Sequence, residues 1–268
     1  MKAEPQRLDA LLVERGFAES RSRAQGLILS GRVRVGDRVV TKTGSRVAPD
    51  ERLSLERDDS FVSRAGEKLD GALDEFGVRV AGKASLDAGA STGGFTDALL
   101  RRGAQRVLAV DVGYGQLDWT LRNDPRVTVM ERTNVRHLTG HDLPFGPELL
   151  VADLSFISLA VALEGLFSTT PSLREAILLV KPQFEAGPEL VGRGGLVRDP
   201  EVRAAVIRRV TTSFESFGFG AVGVTRAAVA GRRAGNREYP IHLVRHAPST
   251  LDEARIQEAV AGEPVSDG

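Results

Sequence analysis

Apolar positions along residues 7–55 fall first at helical and then at strand spacing. Leu8, Leu11 and Leu12 share one helix face, and Gly16 ends that helix. Ser20 is placed to cap a second helix, which presents Ala24, Leu27 and Ile28 and stops at Gly31. "VRVGDRVV" then alternates around a Gly-Asp turn, the pattern of a hairpin. The polar stretch "ERDDSFVSR", residues 56–64, reads as a linker and puts a domain boundary near residue 60.

From residue 84 the period changes. Short apolar runs ("ASLDA", "RVLAVDV", "VTVME", "ELLVADL" and "AILLVK") alternate with helical segments. Such alternation predicts an α/β fold, with a parallel sheet covered by helices on both faces. Asp199-Pro200 opens a long helix with Val202, Val206, Val210 and Phe214 on one side. "AVGVTRA" and "YPIHLVR" supply a sixth and a seventh strand.

Composition narrows the function classes. Apolar residues make up 41% and charged residues 27% of the 268, which suits a packed core and argues against global disorder. There is no cysteine, so disulfides, thiolate metal sites and cysteine nucleophiles are excluded. The four histidines, 137, 141, 242 and 246, lack a partner set, and no metal is expected. No apolar run approaches the roughly 18–20 residues of a membrane helix, and no signal-peptide pattern opens the chain. A soluble, cytoplasmic protein is expected. The zero net charge hides an asymmetry: residues 1–57 carry 12 Lys+Arg against 8 Asp+Glu, and residues 249–268 carry 1 against 5. The basic first segment suits an anionic partner. The last segment reads as an acidic tail.

The chemistry concentrates at strand ends, where open sheets of this kind bind ligands. The first strand of the second domain runs into "DAGASTGGF", and Asp111 ends the next strand, 22 positions after Gly89. A glycine loop before a helix, with a carboxylate placed for ribose hydroxyls, fits a nucleoside cofactor. The spacing G-x-x-x-G-G is not the G-x-G-x-x-G of nicotinamide dinucleotides. S-adenosylmethionine has no pyrophosphate and does not need that turn. Asp153 ends the fourth strand and Lys181 the fifth, while Lys68 precedes the first helix and Glu238 the last strand. Each charge alone reads equally well as a surface ion pair.

Two resemblances complete the reading. "RLDALLVERGFAESRSRAQGLILSGRVRV" resembles the S-four-type RNA-binding domain, although Gly36-Asp37 stands where that family often has Asn-Gly. It implies that Arg7, Arg15, Ser20, Arg21, Arg23 and Gln25 face RNA phosphates. "VSRAGEKL", "LDAGASTGGFTD", "DVGYGQL", "ERTNVR", "VADLSFISL", "VKPQFE" and "GNREY" resemble the FtsJ-like ribose methyltransferases. With the RNA-binding segment in front, the chain resembles the TlyA (haemolysin A) family of rRNA cytidine 2′-O-methyltransferases.

That resemblance implies a class I methyltransferase Rossmann-like sheet of seven strands, the last pair antiparallel, preceded by a small α+β RNA-binding domain. The expected organisation is 1–59 for RNA binding, 60–248 for methyl transfer and 249–268 for the tail. It implies a Lys-Asp-Lys-Glu tetrad, here Lys68, Asp153, Lys181 and Glu238. Lys181 would be the base, Asp153 would orient it, and Glu238 would position Lys68 or the substrate hydroxyl. A lysine can be a base only when neutral; desolvation at a strand tip, with Lys68 as a second cation nearby, favours that form. S-adenosylmethionine is the implied cofactor, contacted by Gly89, Ser91, Gly93, Gly94, Phe95, Asp111, Asn134 and Asp153. The implied partner is ribosomal RNA or a ribosomal subunit. "DLSF" lacks the prolines used in amino-group methylation of bases. Ala65 departs from a common glycine, and Pro240 casts doubt on strand pairing near it. "EAGPELVGRGG" reads as a mobile or simply flexible loop. The competing classes are a membrane-active haemolysin and a non-catalytic ribosome-assembly factor.

Overall fold

The structure is a computed structural model that describes residues 4–55, 60–229 and 236–261. The chain divides into two compact units, Met1–Ser60 and Phe61–Gly268. Residues 56–59 of the expected linker, Gly235 of "GNREY" and residues 262–268 of the expected tail lie outside the described residues.

The first unit opens with β1 (Gln6–Arg7), α1 (Leu8–Glu14) and α2 (Arg21–Leu29). The Ser20 hydroxyl accepts a hydrogen bond from Arg23 N at 3.2 Å and so caps α2. Strands β2 (Val33–Val35), β3 (Arg38–Val39), β4 (Arg46–Val47) and β5 (Leu53–Leu55) follow. They form an antiparallel sheet in the order β3-β2-β5, while β1 pairs with β4. The β2–β3 turn is the expected Gly36-Asp37 pair, with Gly36 at φ +58°. Leu8, Leu11, Leu12, Ala24, Ile28 and Val33 close the core.

The second unit is built on a seven-stranded sheet. Its elements are α3 (Ala65–Glu75), β6 (Ala84–Ala88), α4 (Gly94–Arg101), β7 (Arg106–Val110), α5 (Trp119–Arg122), β8 (Val127–Met130) and β9 (Leu149–Ala152). Then come α6 (Leu159–Thr169), β10 (Glu175–Val180), α7 (Pro182–Glu185), α8 (Pro200–Glu215), β11 (Phe219–Val224), β12 (Tyr239–Arg245) and α9 (Glu253–Ala261). The strand order is β11-β12-β10-β9-β6-β7-β8, all parallel except β12, which runs antiparallel to both neighbours. Alternate residues of β10 feed opposite faces. Ala176, Leu178 and Val180 join the core under α6, α8 and α9, and Ile177 and Leu179 the core under α3 and α4. Each such valine, leucine or isoleucine removed from water contributes about 1.5–3 kcal/mol.

Two expectations are corrected. Pro240 does not disturb pairing: β10 and β12 stay in register from Glu175↔Val244 to Val180↔Tyr239. A strand residue's N–H and C=O point to the same side. The Pro240 carbonyl accepts from Thr225 N, one residue past β11. The missing donor therefore faces the end of an edge strand and costs the ladder little. The acidic segment after residue 248 is not merely a tail. Ile256, Ala259 and Val260 of α9 are buried in the α8 core, and Arg208 Nε lies 3.0 Å from Glu253.

At the end of the sheet where β10 begins, Glu175 accepts from Lys83 Nζ at 2.6 Å and lies 2.7 Å from His242 Nε2. The Phe76 ring stacks on His242 at 5.4 Å. Burial pushes the Glu175 carboxyl up, but His242 and Lys83 together outweigh it and hold the group below its ordinary 4.5. A lowered carboxyl stabilises the fold above its unfolded value, and that contribution disappears as pH falls through the folded one. Glu175→Gln is therefore expected to lower the thermal midpoint at neutral pH. The gap from the wild type should close below about pH 4.5, as thermal melts across pH would show.

Candidate active site

The carboxyl ends of β6, β9 and β10 open into one cavity of about 480 Å³. Because β12 is antiparallel, its first residues meet the last residues of β10, with Val180 opposite Tyr239. Glu238, just before β12, thus reaches the same end of the sheet as Asp153 and Lys181, which follow parallel strands. Lys68 enters from the first turn of α3. All four expected catalytic residues line the cavity.

They stand as two ion pairs. Lys68 Nζ donates to Glu238 Oε2 at 2.6 Å, both side chains being less than a tenth exposed. Lys181 Nζ lies 2.5 Å from Asp153 Oδ1, and its directional hydrogen bond goes to Ser155 Oγ at 3.0 Å. Gln183 Oε1 on the same cavity wall is buried without a hydrogen-bond partner. Lys68, expected as a second cation beside Lys181, has its charge matched by Glu238. Lys181 has an extended backbone, and Pro182 takes the first position of α7, where its missing N–H costs nothing.

A brace joins the two catalytic strand ends. Glu185 of α7 accepts from Leu159 N at 2.8 Å, so α7, which follows Lys181, caps α6, which follows Asp153. Burial pushes the Glu185 carboxyl up. The glycine-rich segment after it is not shapeless: Gly192 bridges Leu196, and Asn236 Nδ2 donates to Gly195 O at 2.7 Å. Val191 and Gly195 of that segment line the cavity.

The glycine loop divides the expected cofactor contacts. Gly89, Ser91, Phe95 and Asp153 line the cavity. Gly89 sits at φ +87°, and a Cβ there would meet Asp153 O at 2.7 Å, so only glycine lets β6 and β9 end this close. Gly93, Gly94, Asp111 and Asn134 are not in the lining. The space beside Gly93 is filled by Leu117 and Leu121, and that beside Gly94 by Ser63 and the first turn of α3. Asp111 accepts from Ser91 N at 2.7 Å and Gly113 N at 2.6 Å, which pins the loop. Asn134 is exposed and caps a short turn through Arg136 N. Below the loop, burial drives the Asp87 carboxyl up to about 7, against a hydrogen bond from Thr96 and with Asp153 and Asp111 nearby.

Sequence reasoning missed the aromatic mouth of the cavity. Phe156 is 81% exposed at φ +66°, and its ring meets that of Phe184 at 4.7 Å. A signal was present: Asp153 and Lys181 are each followed three residues later by phenylalanine.

In the first unit the expected RNA-facing residues divide as well. Arg15 donates to the carbonyls of Glu51 and Pro49, and the Ser20 hydroxyl is engaged as a cap, so both serve the fold. Arg7, Arg21 and Gln25 converge on one carboxylate, that of Asp9, which sequence reasoning left out.

A doubly covered sheet with a glycine loop and paired charges at its carboxyl edge is that of a class I methyltransferase. The chain belongs to the FtsJ-like methyltransferase family, which it matches over residues 61–245, and it carries an S4 domain over residues 6–53. It is 46% identical over 256 residues to 16S/23S rRNA (cytidine-2′-O)-methyltransferase TlyA of Mycobacterium tuberculosis, with 95% of both chains covered. Hemolysin A of Brachyspira hyodysenteriae is 39% identical, over 89% of this chain and 99% of that one. A solved structure from Streptococcus thermophilus that bears a hemolysin name shares 36% identity at a TM-score of 0.71, covering 96% of this chain and 95% of the other.

Proposed function

We propose that this chain transfers a methyl group from S-adenosylmethionine to a ribose 2′-hydroxyl of cytidine in ribosomal RNA. The observation that carries the proposal is the convergence of Lys68–Glu238 and Lys181–Asp153 on one cavity beside the glycine loop. The similarity to an rRNA cytidine methyltransferase over nearly the whole chain supports the substrate class.

The residues present fit the cofactor. A cavity of about 480 Å³ suits a nucleoside ligand. One buried acceptor in its wall, Gln183 Oε1, lacks a donor that a ligand's ammonium or hydroxyls would supply. Gly89, Ser91, Phe95 and Asp153 would hold the ligand, with Asp111 fixing the loop and offering its remaining lone pairs. Gly93 and Gly94 shape the loop by packing, and Asn134 is left out of the contact set. The cofactor supplies an electrophilic methyl on a sulfonium.

Lys181 takes the hydroxyl proton as the ribose oxygen attacks, a role that requires the ammonium paired with Asp153 to have given up its own proton first. With the cofactor bound, its sulfonium would supply the methyl to the ribose oxygen, and the hydroxyl proton would end on Lys181 Nζ. Asp153 and Ser155 hold that nitrogen in place. The Lys68–Glu238 pair borders the hydroxyl's position, and the brace through Glu185 keeps the two strand ends aligned, as an in-line transfer requires. Phe156 and Phe184 offer a face on which the target base stacks.

Arg7, Arg21 and Arg23 of the S4 domain supply phosphate contacts. The reading places the enzyme in the cytoplasm, where ribosomal subunits are assembled. Nucleoside mass spectrometry of ribosomal RNA should reveal 2′-O-methylcytidine after incubation with enzyme and cofactor. No transfer to naked rRNA, isolated subunits or assembled ribosomes would overturn the proposal. A membrane-active reading rests on relatives' names, and among the described residues no helix is long and apolar enough to cross a membrane. It would require lysis of red cells that survives Lys181→Ala.

A further inference from the structure

Asp9 is fully buried in the first turn of α1, yet it touches the outer surface through its partners. Its two oxygens accept from Arg7 Nε at 3.0 Å and Nη2 at 2.9 Å, from Gln25 Nε2 at 2.9 Å and from Arg21 Nη2 at 3.4 Å. Those three partners come from two elements, Arg7 from β1 and Arg21 and Gln25 from the first two turns of α2. The Arg7 and Arg21 side chains remain 45% and 58% exposed.

A guanidinium carries five N–H donors in a fixed fork. The clamp on Asp9 uses Nε and Nη2 of Arg7, while the side chain as a whole stays 45% exposed. Arg21 gives Asp9 a single nitrogen and keeps the rest of its fork. We infer that Asp9 is a positioning residue for RNA recognition: a buried carboxylate that holds two exposed guanidiniums and an amide in one preset array for phosphate oxygens. The inference rests on the reading that this face of the S4 domain binds RNA.

The alternative is that Asp9 only diminishes a basic surface. The two readings differ in sign. If charge alone matters, neutralising Asp9 adds one positive charge, and RNA binds more tightly with a steeper salt dependence. If Asp9 sets the array, the arginines lose their common anchor and the entropy of ordering them is charged to each binding event.

The test uses the full chain and ribosomal RNA, with affinity measured across a salt series. Asp9→Asn is expected to weaken binding about tenfold, and to flatten the slope of log affinity against log salt by about one phosphate contact. Cofactor affinity should be unchanged. Arg7→Lys keeps the charge but cannot make the two-nitrogen clamp, and it should weaken binding similarly; it carries the test if Asp9→Asn fails to fold by circular dichroism. Unchanged or tighter binding by the folded variant overturns the inference. The double variant Arg7→Ala/Arg21→Ala separates the two claims. If it also binds RNA as the wild type does, the reading of this face falls along with the inference. If it binds weakly while Asp9→Asn binds normally, only the inference falls.

Discussion

Lys181→Ala is expected to lower methyl transfer by about 10³-fold or more while the fold survives, because general-base contributions run at about 10²–10⁴ and the amine also positions the hydroxyl. Single-turnover assays with ribosomal RNA measure it. The informative companion is Lys181→Arg. A guanidinium can keep the ion pair with Asp153 and the hydrogen bond to Ser155, but it stays charged at any workable pH. The arginine variant should therefore melt close to the wild type and still fail to transfer methyl. Activity near wild type in Lys181→Arg would show that the site needs only a cation at the tip of β10, and the assignment of Lys181 as base would be wrong.

The second large effect concerns the Lys68–Glu238 pair, where stability and activity should come apart. Glu238→Ala leaves a buried ammonium without its counter-charge, a situation that costs about 3–5 kcal/mol. For a unit of this size the thermal midpoint falls by about 2–4 °C per kcal/mol, so a loss of roughly 10 °C is expected. Replacing both partners by apolar groups of similar volume, Lys68→Met with Glu238→Leu, removes both charges together and should recover most of that loss. It should not recover methyl transfer. Differential scanning calorimetry and the transfer assay on the same three proteins decide the matter. A double variant with full activity would reduce the pair to scaffold.

The sheet was legible because its strands are buried on both faces and write themselves as unbroken apolar runs, as "AILLV" does at residues 176–180. The charges at the tips of those runs, Asp153 and Lys181, were legible for the same reason: a costly residue ends a cheap pattern. Other parts were not legible, each for its own physical reason. A glycine that makes room for a ligand and one that makes room for a leucine look alike in sequence, so the sequence does not reveal that Leu117, Leu121 and Ser63 occupy the space beside Gly93 and Gly94. Acidic composition in the last twenty residues masked the spacing of Ile256, Ala259 and Val260, which is enough to dock one short helix. Asp9 was passed over because one of eight acidic residues in a basic segment carries no mark of its own in sequence. Its burial and its three partners exist only once α1 and α2 are packed. Arg15 shows the converse, an arginine in the right segment that donates to two backbone carbonyls.

Phe156 puts two forms of selection in conflict. An exposed ring at φ +66° is unfavourable twice over, since a bulky residue in the left-handed region is strained and a bare aromatic invites association. Glycine or asparagine would relax the backbone and hide the surface. Any effort to harden this protein by stability alone would discard the ring early and count the change as an improvement. On the proposed reading the ring serves RNA, a use that thermal data cannot register, and engineered versions should be chosen by turnover on RNA first and by melting second.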